Sequence, residues 1–165
     1  MNEYSNSEDT LNYFQTISIF LPPYIIQNIM TIKLNYREDK KYEAINESGN
    51  VLPIDMLAVE DKQAFSPMQL LLAGVASCAA VDLVSMIKKR RKTFIDLKAE
   101  ISGVRREKDP KSYTDIDLKY IIYSPDLTEK EAERLVSLAV NNYCSVSDSL
   151  RKDINLTHSF EVMRG

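Results

Sequence analysis

Ser66-Pro67-Met68-Gln69-Leu70-Leu71-Leu72-Ala73-Gly74-Val75-Ala76-Ser77-Cys78-Ala79-Ala80-Val81-Asp82-Leu83-Val84-Ser85-Met86-Ile87-Lys88-Lys89-Arg90-Arg91-Lys92 is apolar on nearly every helical face and carries helix signals at both ends. Ser66 stands where an N-cap is wanted, and Pro67 occupies the first helical position, where its missing N–H costs nothing. The basic run from Lys88 to Lys92 falls where the macrodipole is negative. The stretch therefore predicts one long helix. Gln69, Asp82 and two serines interrupt the roughly 20 apolar residues that a bilayer crossing requires, so it reads as a core helix and not a membrane span. A helix apolar all round needs cover from several layers or from a second subunit. A chain of 165 residues with only one other substantial helix favours the second subunit, a homodimer.

On the N-terminal side, Thr31-Ile32-Lys33-Leu34-Asn35-Tyr36 alternates like a half-buried strand. Two more strand-like runs between Lys41 and Ala58 flank the turn sequence Glu47-Ser48-Gly49-Asn50. Residues 1–29 do not match the rest of the chain: they are polar, then abruptly apolar around Pro22-Pro23, and are expected to be an N-terminal extension to a single domain over 30–165. Their apolar run, residues 13–26, is preceded by Glu3, Glu8 and Asp9 and by no Lys or Arg, the opposite of a basic signal-peptide start. A cytoplasmic location is expected.

On the C-terminal side, residues 95–104 and 113–123 alternate with period two around the loop Asp109-Pro110-Lys111-Ser112, predicting two antiparallel strands. Thr128-Glu129-Lys130-Glu131 is a capping box that opens a helix with Ala132, Leu135, Val136, Leu138 and Ala139 at helical spacing. Asn141-Asn142-Tyr143 ends that helix, Cys144 comes next in a polar turn, and residues 154–163 alternate as a last strand. The order of elements makes the fold class α+β.

Charge narrows the partners. With 21 basic against 24 acidic side chains, the net charge of −3 gives no electrostatic reason to expect nucleic acid or an anionic membrane. A single histidine, His158, and the absence of any Cys-x-x-Cys leave no metal-ligand spacing, and no metal is expected. Chemistry then rests on the two cysteines, Cys78 and Cys144. A chain of this size does not need a disulfide to be stable, and a reducing compartment disfavours one, which leaves an inert core pair or a redox pair.

The run Ser66 to Asp82, with two alternating strands, a capped helix and Tyr143-Cys144-Ser145-Val146-Ser147 after it, resembles the OsmC/Ohr family of organic hydroperoxide reductases over about residues 30 to 165. The most specific parts are Pro67 to Cys78 and Cys144-Ser145-Val146. The resemblance implies antiparallel sheets wrapped around a long buried central helix, in an intertwined homodimer with its active sites at the subunit interface. It implies that Cys78 is the peroxidatic thiol and Cys144 the resolving one. It also implies a small-molecule hydroperoxide as substrate, an external dithiol as reductant and no bound cofactor. The alternative for the same fold is a small-molecule-binding or thiol-disulfide regulatory protein with little peroxidase activity.

One departure from the family pattern bears on reactivity. Family peroxidases carry a glutamate ten residues before the first cysteine, paired with an arginine about ten residues earlier. Here Met68 and Ala58 stand near those positions. Only a thiolate is nucleophilic, and Asp82, one helical turn beyond Cys78, would oppose it. The helix dipole fades within the first turn and cannot help at Cys78 unless Gly74 breaks the helix. The candidate cations are Arg37, after the first strand, and Arg105 or Arg106, at the end of a later one.

Overall fold

A computed structural model describes residues 29–164, which group into two compact units divided between Leu57 and Ala58. The extension expected over 1–29 lies outside the described residues except for Ile29.

The first unit is a meander of β1 (Lys33–Glu38), β2 (Lys41–Ile45) and β3 (Val51–Asp55), paired in sequence order and antiparallel. The β2–β3 turn closes because Gly49 adopts φ +79° and the Asn46 side chain accepts from the Asn50 N–H at 2.9 Å. That conformation favours glycine, which is why the turn could be read from residues 47–50.

The second unit begins at α1 (Pro67–Lys89), capped as its sequence requires: the Ser66 hydroxyl accepts from Gln69 N–H and the Gln69 side chain accepts from Ser66 N–H. The helix runs without interruption through Gly74. Val75, Ala79, Leu83 and Ile87, at intervals of four, are all 0% exposed and form the stripe that enters the core. The remaining faces are only partly covered; Val81 is 71% exposed. The all-round burial suggested by composition is therefore met on one side within a single chain. By length and composition alone α1 would also suffice to cross a membrane. Its buried stripe and its hydrogen bonds to a strand make it a packing element of this fold.

Beneath α1 lie β4 (Asp96–Arg105), β5 (Tyr113–Tyr123) and β6 (Asn155–Met163), in the order β4-β5-β6. β4 and β5 are antiparallel, as their alternation predicts, whereas β6 joins β5 in parallel. The sheet is mixed because the link from β5 to β6 is a crossover through α2 (Glu129–Leu138), a π-helical turn (Ala139–Tyr143) and α3 (Ser145–Asp148), not a hairpin. Ile116, Leu118, Tyr120 and Ile122 alternate inward along β5 and are at most 1% exposed. At the start of that strand the register slips: Val104 faces Asp115 but Arg105 faces Tyr113. The extra residue, Thr114, turns Tyr113 onto the buried side despite its odd position. Gly103 exists to admit it, since a Cβ there would stand 2.5 Å from the Tyr113 ring.

α2 is held by the capping box its sequence announces. Thr128 Oγ1 accepts from Glu131 N–H, and Glu131 accepts from Thr128 N–H at 3.0 Å. Lys92, just past α1, reaches the same carboxylate at 3.0 Å and the carbonyl of Asp126 at 2.9 Å, joining the end of one helix to the start of the other. The Thr128 backbone and hydroxyl, then Lys92, hold the Glu131 carboxyl down to about 2. A carboxyl depressed by folding stabilises the protein above its unfolded value and ceases to do so as pH falls through the folded one. Glu131→Gln should therefore flatten the loss of urea stability between about pH 4 and pH 2. In the same denaturation assay at neutral pH, Gly103→Ala should cost about 1–3 kcal/mol, because the Tyr113 ring is fixed and cannot retreat.

Candidate functional site

Cys78 and Cys144 come to one region of the second unit. Cys78 lies in the middle of α1, half-buried against the core cluster, and Cys144 belongs to that cluster with 3% exposure. Both are free thiols. Cys144 is delivered by the π-helical turn, a wide and locally underwound element often found at functional sites. Its thiol lies 3.7 Å from the carbonyl of Val75, one turn of α1 before Cys78, and its sulfur accepts from Ser147 N–H at 3.3 Å. The approach passes Gly74, where a Cβ would be in van der Waals contact with the Val146 side chain at 3.4 Å.

Tyr120 completes the arrangement, a residue sequence reasoning treated only as a strand position. Its hydroxyl donates to the carbonyl of Ala76 at 2.6 Å, between the Val75 carbonyl that meets Cys144 and Cys78 itself. Burial first, and then the proximity of Cys144 and Cys78, holds the Tyr120 phenol above its ordinary value. It is therefore a neutral donor at any working pH, and it marks the position where both sulfurs are within electrostatic reach of one group. An inward-facing tyrosine in a strand of aliphatic inward residues, Ile116, Leu118 and Ile122, was the signal available.

Among the described residues no hydrogen bond or ion pair joins the other candidates to either thiol. Met68 is in the first turn of α1, where its carbonyl accepts from the Tyr113 hydroxyl at 2.9 Å. Along an unbroken helix its ten-residue separation from Cys78 is about 15 Å, so it does not touch that thiol in the same chain. Arg37, in the first unit, is tied to Glu43 by Nε at 2.7 Å and by a second guanidinium nitrogen. Arg105 and Arg106 donate to the carbonyls of Lys111 and Pro110, at the far end of β4. Asp82 is half-buried on α1, and His158 sits half-buried on β6 opposite Leu118. Among the described residues no three His, Cys, Asp or Glu side chains gather as metal ligands would. With α1 continuous through Gly74, a fresh helix start near Cys78 is absent.

One cysteine thus lies on the long helix over a mixed sheet and the other within the crossover from β5 to β6. The OsmC-like protein family model matches residues 60–159. Protein YhfA of Escherichia coli strain K12 is 35% identical over 119 residues, covering 72% of this chain and 89% of YhfA. A hypothetical protein of Aquifex aeolicus VF5 superposes with a TM-score of 0.73 at 30% identity, covering 82% of this chain and 97% of that one. An organic hydroperoxide resistance protein OsmC of Legionella pneumophila, described also as a predicted redox protein and regulator of sulfide bond formation, shares the fold at a TM-score of 0.61 and 20% identity, over 81% and 97%. The chain belongs to the OsmC-like family.

The difference in cover between the two thiols has a direct readout. Iodoacetamide added to native protein should modify Cys78 well before Cys144, and urea should bring the two to similar rates, as monitored by peptide mass spectrometry.

Proposed function

We propose that this protein reduces organic hydroperoxides through a Cys78–Cys144 thiol cycle, with an external dithiol as the final reductant. The observation that carries the reading is the seating of Cys144 against the Val75 carbonyl, one turn before Cys78, with the Tyr120 hydroxyl bonded to the neighbouring Ala76 carbonyl. Two thiols gathered at one turn of a helix, one half-accessible and one covered, match the division of labour between an attacking and a resolving cysteine. The Legionella protein that shares the fold is named for hydroperoxide resistance, which supports the same chemistry.

The cycle is balanced at each step. The Cys78 thiolate attacks one oxygen of ROOH, forming an S–O bond as the O–O bond breaks; the leaving alkoxide takes a proton and departs as ROH. Cys144 then attacks the sulfenic sulfur, forming the disulfide and releasing water. An external dithiol restores both thiols by exchange and is itself oxidised to a disulfide. The apolar surroundings of Cys78, among Val75, Ala79 and the other members of the core cluster, suit a hydrocarbon-bearing peroxide better than hydrogen peroxide.

The incompletely covered faces of α1 support a homodimer as the working unit, with a second copy covering the face that carries Val81, which is 71% exposed. Light scattering should then give a mass near twice 18.9 kDa.

A second reading is favoured by one specific observation. Met68 replaces the family glutamate, and Arg37, the cation expected from the first unit, already pairs with Glu43. A family member without that activating pair would serve as a small-molecule-binding or thiol-disulfide regulatory protein. The assay that separates the two readings measures the consumption of cumene hydroperoxide with a dithiol in excess. Under the leading reading turnover is robust, Cys78→Ser abolishes it, and Cys144→Ser accumulates sulfinic acid at Cys78. Under the second, wild type consumes no peroxide and both thiols remain titratable.

A further inference from the structure

A cleft of about 400 Å³ opens beside the first turn of α1, wholly within the unit that begins at Ala58. Its two α1 residues, Met68 and Leu71, stand ten and seven positions before Cys78, about 15 and 10 Å along the axis, and neither cysteine lines it. Its apolar lining comes from Met68 and Leu71 of α1 and from Leu150 and Ile154, between α3 and β6. Its charged lining is of one sign: Arg105, Lys111 and Arg151, with no carboxylate among the lining residues.

The three cations are not equivalent. Arg151 is bidentate on Asp153, at 2.8 and 2.5 Å, which leaves it little charge to offer. Arg105 spends one N–H on the carbonyl of Lys111, and neither Arg105 nor Lys111 has a carboxylate partner among the described residues. Burial raises the phenol of Tyr113 and the Arg105 charge opposes that rise, in keeping with a guanidinium beside the Tyr113 wall of the cleft. The Nε of Arg105 holds the backbone of Lys111, and both residues line the cleft, so the strand end and the loop each bring one positive charge to it. A guanidinium and an ammonium above aliphatic side chains match a ligand with a single compact anion and a hydrocarbon tail. A second anionic group would have to be desolvated against Leu150 and Ile154, and an uncharged head would leave both cations unused.

We propose that this cleft binds the anion of a medium-chain monocarboxylic acid, its carboxylate held by Arg105 and Lys111 and its tail lying on Met68, Leu71, Leu150 and Ile154. The site makes no use of either cysteine and does not rest on the peroxidase reading.

Calorimetric titration of the full chain with hexanoate, octanoate, decanoate and decanol tests it. Affinity should rise by about fourfold per methylene along the acids, the factor equivalent to about 0.8 kcal/mol for each one buried. Decanol should bind at least tenfold more weakly than decanoate. Because Arg105 also clamps the loop, the decisive variant is Lys111→Met, which keeps the clamping carbonyl and removes only the charge. It should weaken decanoate about tenfold and leave decanol unchanged. Arg105→Gln should act in the same direction, whereas Lys108→Ala, on the same loop but outside the cleft, should have no effect, and Cys78→Ser should bind decanoate like wild type. Equal affinity for decanoate and decanol, indifference of decanoate to Lys111→Met, or no binding of decanoate would each overturn the proposal.

Discussion

The hydrogen bond from the hydroxyl of the buried Tyr120 to the Ala76 carbonyl, 2.6 Å long, fixes α1 on β5 at the turn that leads to Cys78. A phenol taken out of water needs a partner, and an unpaired one would cost about 1–3 kcal/mol. Only a helix carbonyl at the right height can serve. That requirement sets the height of α1 on the sheet, and with it the positions of the Val75 carbonyl and of Cys78. Tyr113 does the same at the first turn of the helix, through the carbonyl of Met68. Two tyrosines of a single strand thus pin a helix whose apolar stripe, Val75, Ala79, Leu83 and Ile87, could otherwise slide along aliphatic neighbours at little cost.

The second cysteine depends on that placement. Cys144 reaches α1 where the chain leaves α2 through a π-helical turn, beside the point where Val146 packs next to Gly74. A strand residue and a turn with an unusual hydrogen-bonding period together gather two sulfurs that are far apart in sequence. The arrangement also leaves the two thiols unequal, one in the core and one at its edge. That inequality is what a cycle of attack and resolution requires.

Much of the scaffold was legible from residue chemistry. Ser66-Pro67, the Thr128–Glu131 capping box and the turn around Gly49 carry local signals strong enough to place elements to within a residue or two, since each satisfies backbone groups that have no other partner. The alternation in β4 and β5 likewise predicted their pairing. The parallel placement of β6 was not legible, because alternation reports which face of a strand is buried and not its direction. Composition showed that α1 needs cover but not how much of it comes from the same chain, which buries the stripe from Val75 to Ile87.

For the candidate site, the sequence by itself supplied the reactive groups: two thiols, one on a long helix and one after a capped helix, in a family pattern from which Met68 departs. Only the tertiary structure decided which other residues lie near them. It brought in Tyr120 and set Met68 some way along an unbroken helix from Cys78. It also bound Arg37 to Glu43 and collected Arg105 and Lys111 at a cleft of their own. The physical reason is that a side chain's identity fixes what it can donate, accept or oxidise, whereas its partners are fixed by contacts between residues distant in sequence, and no local pattern encodes those distances.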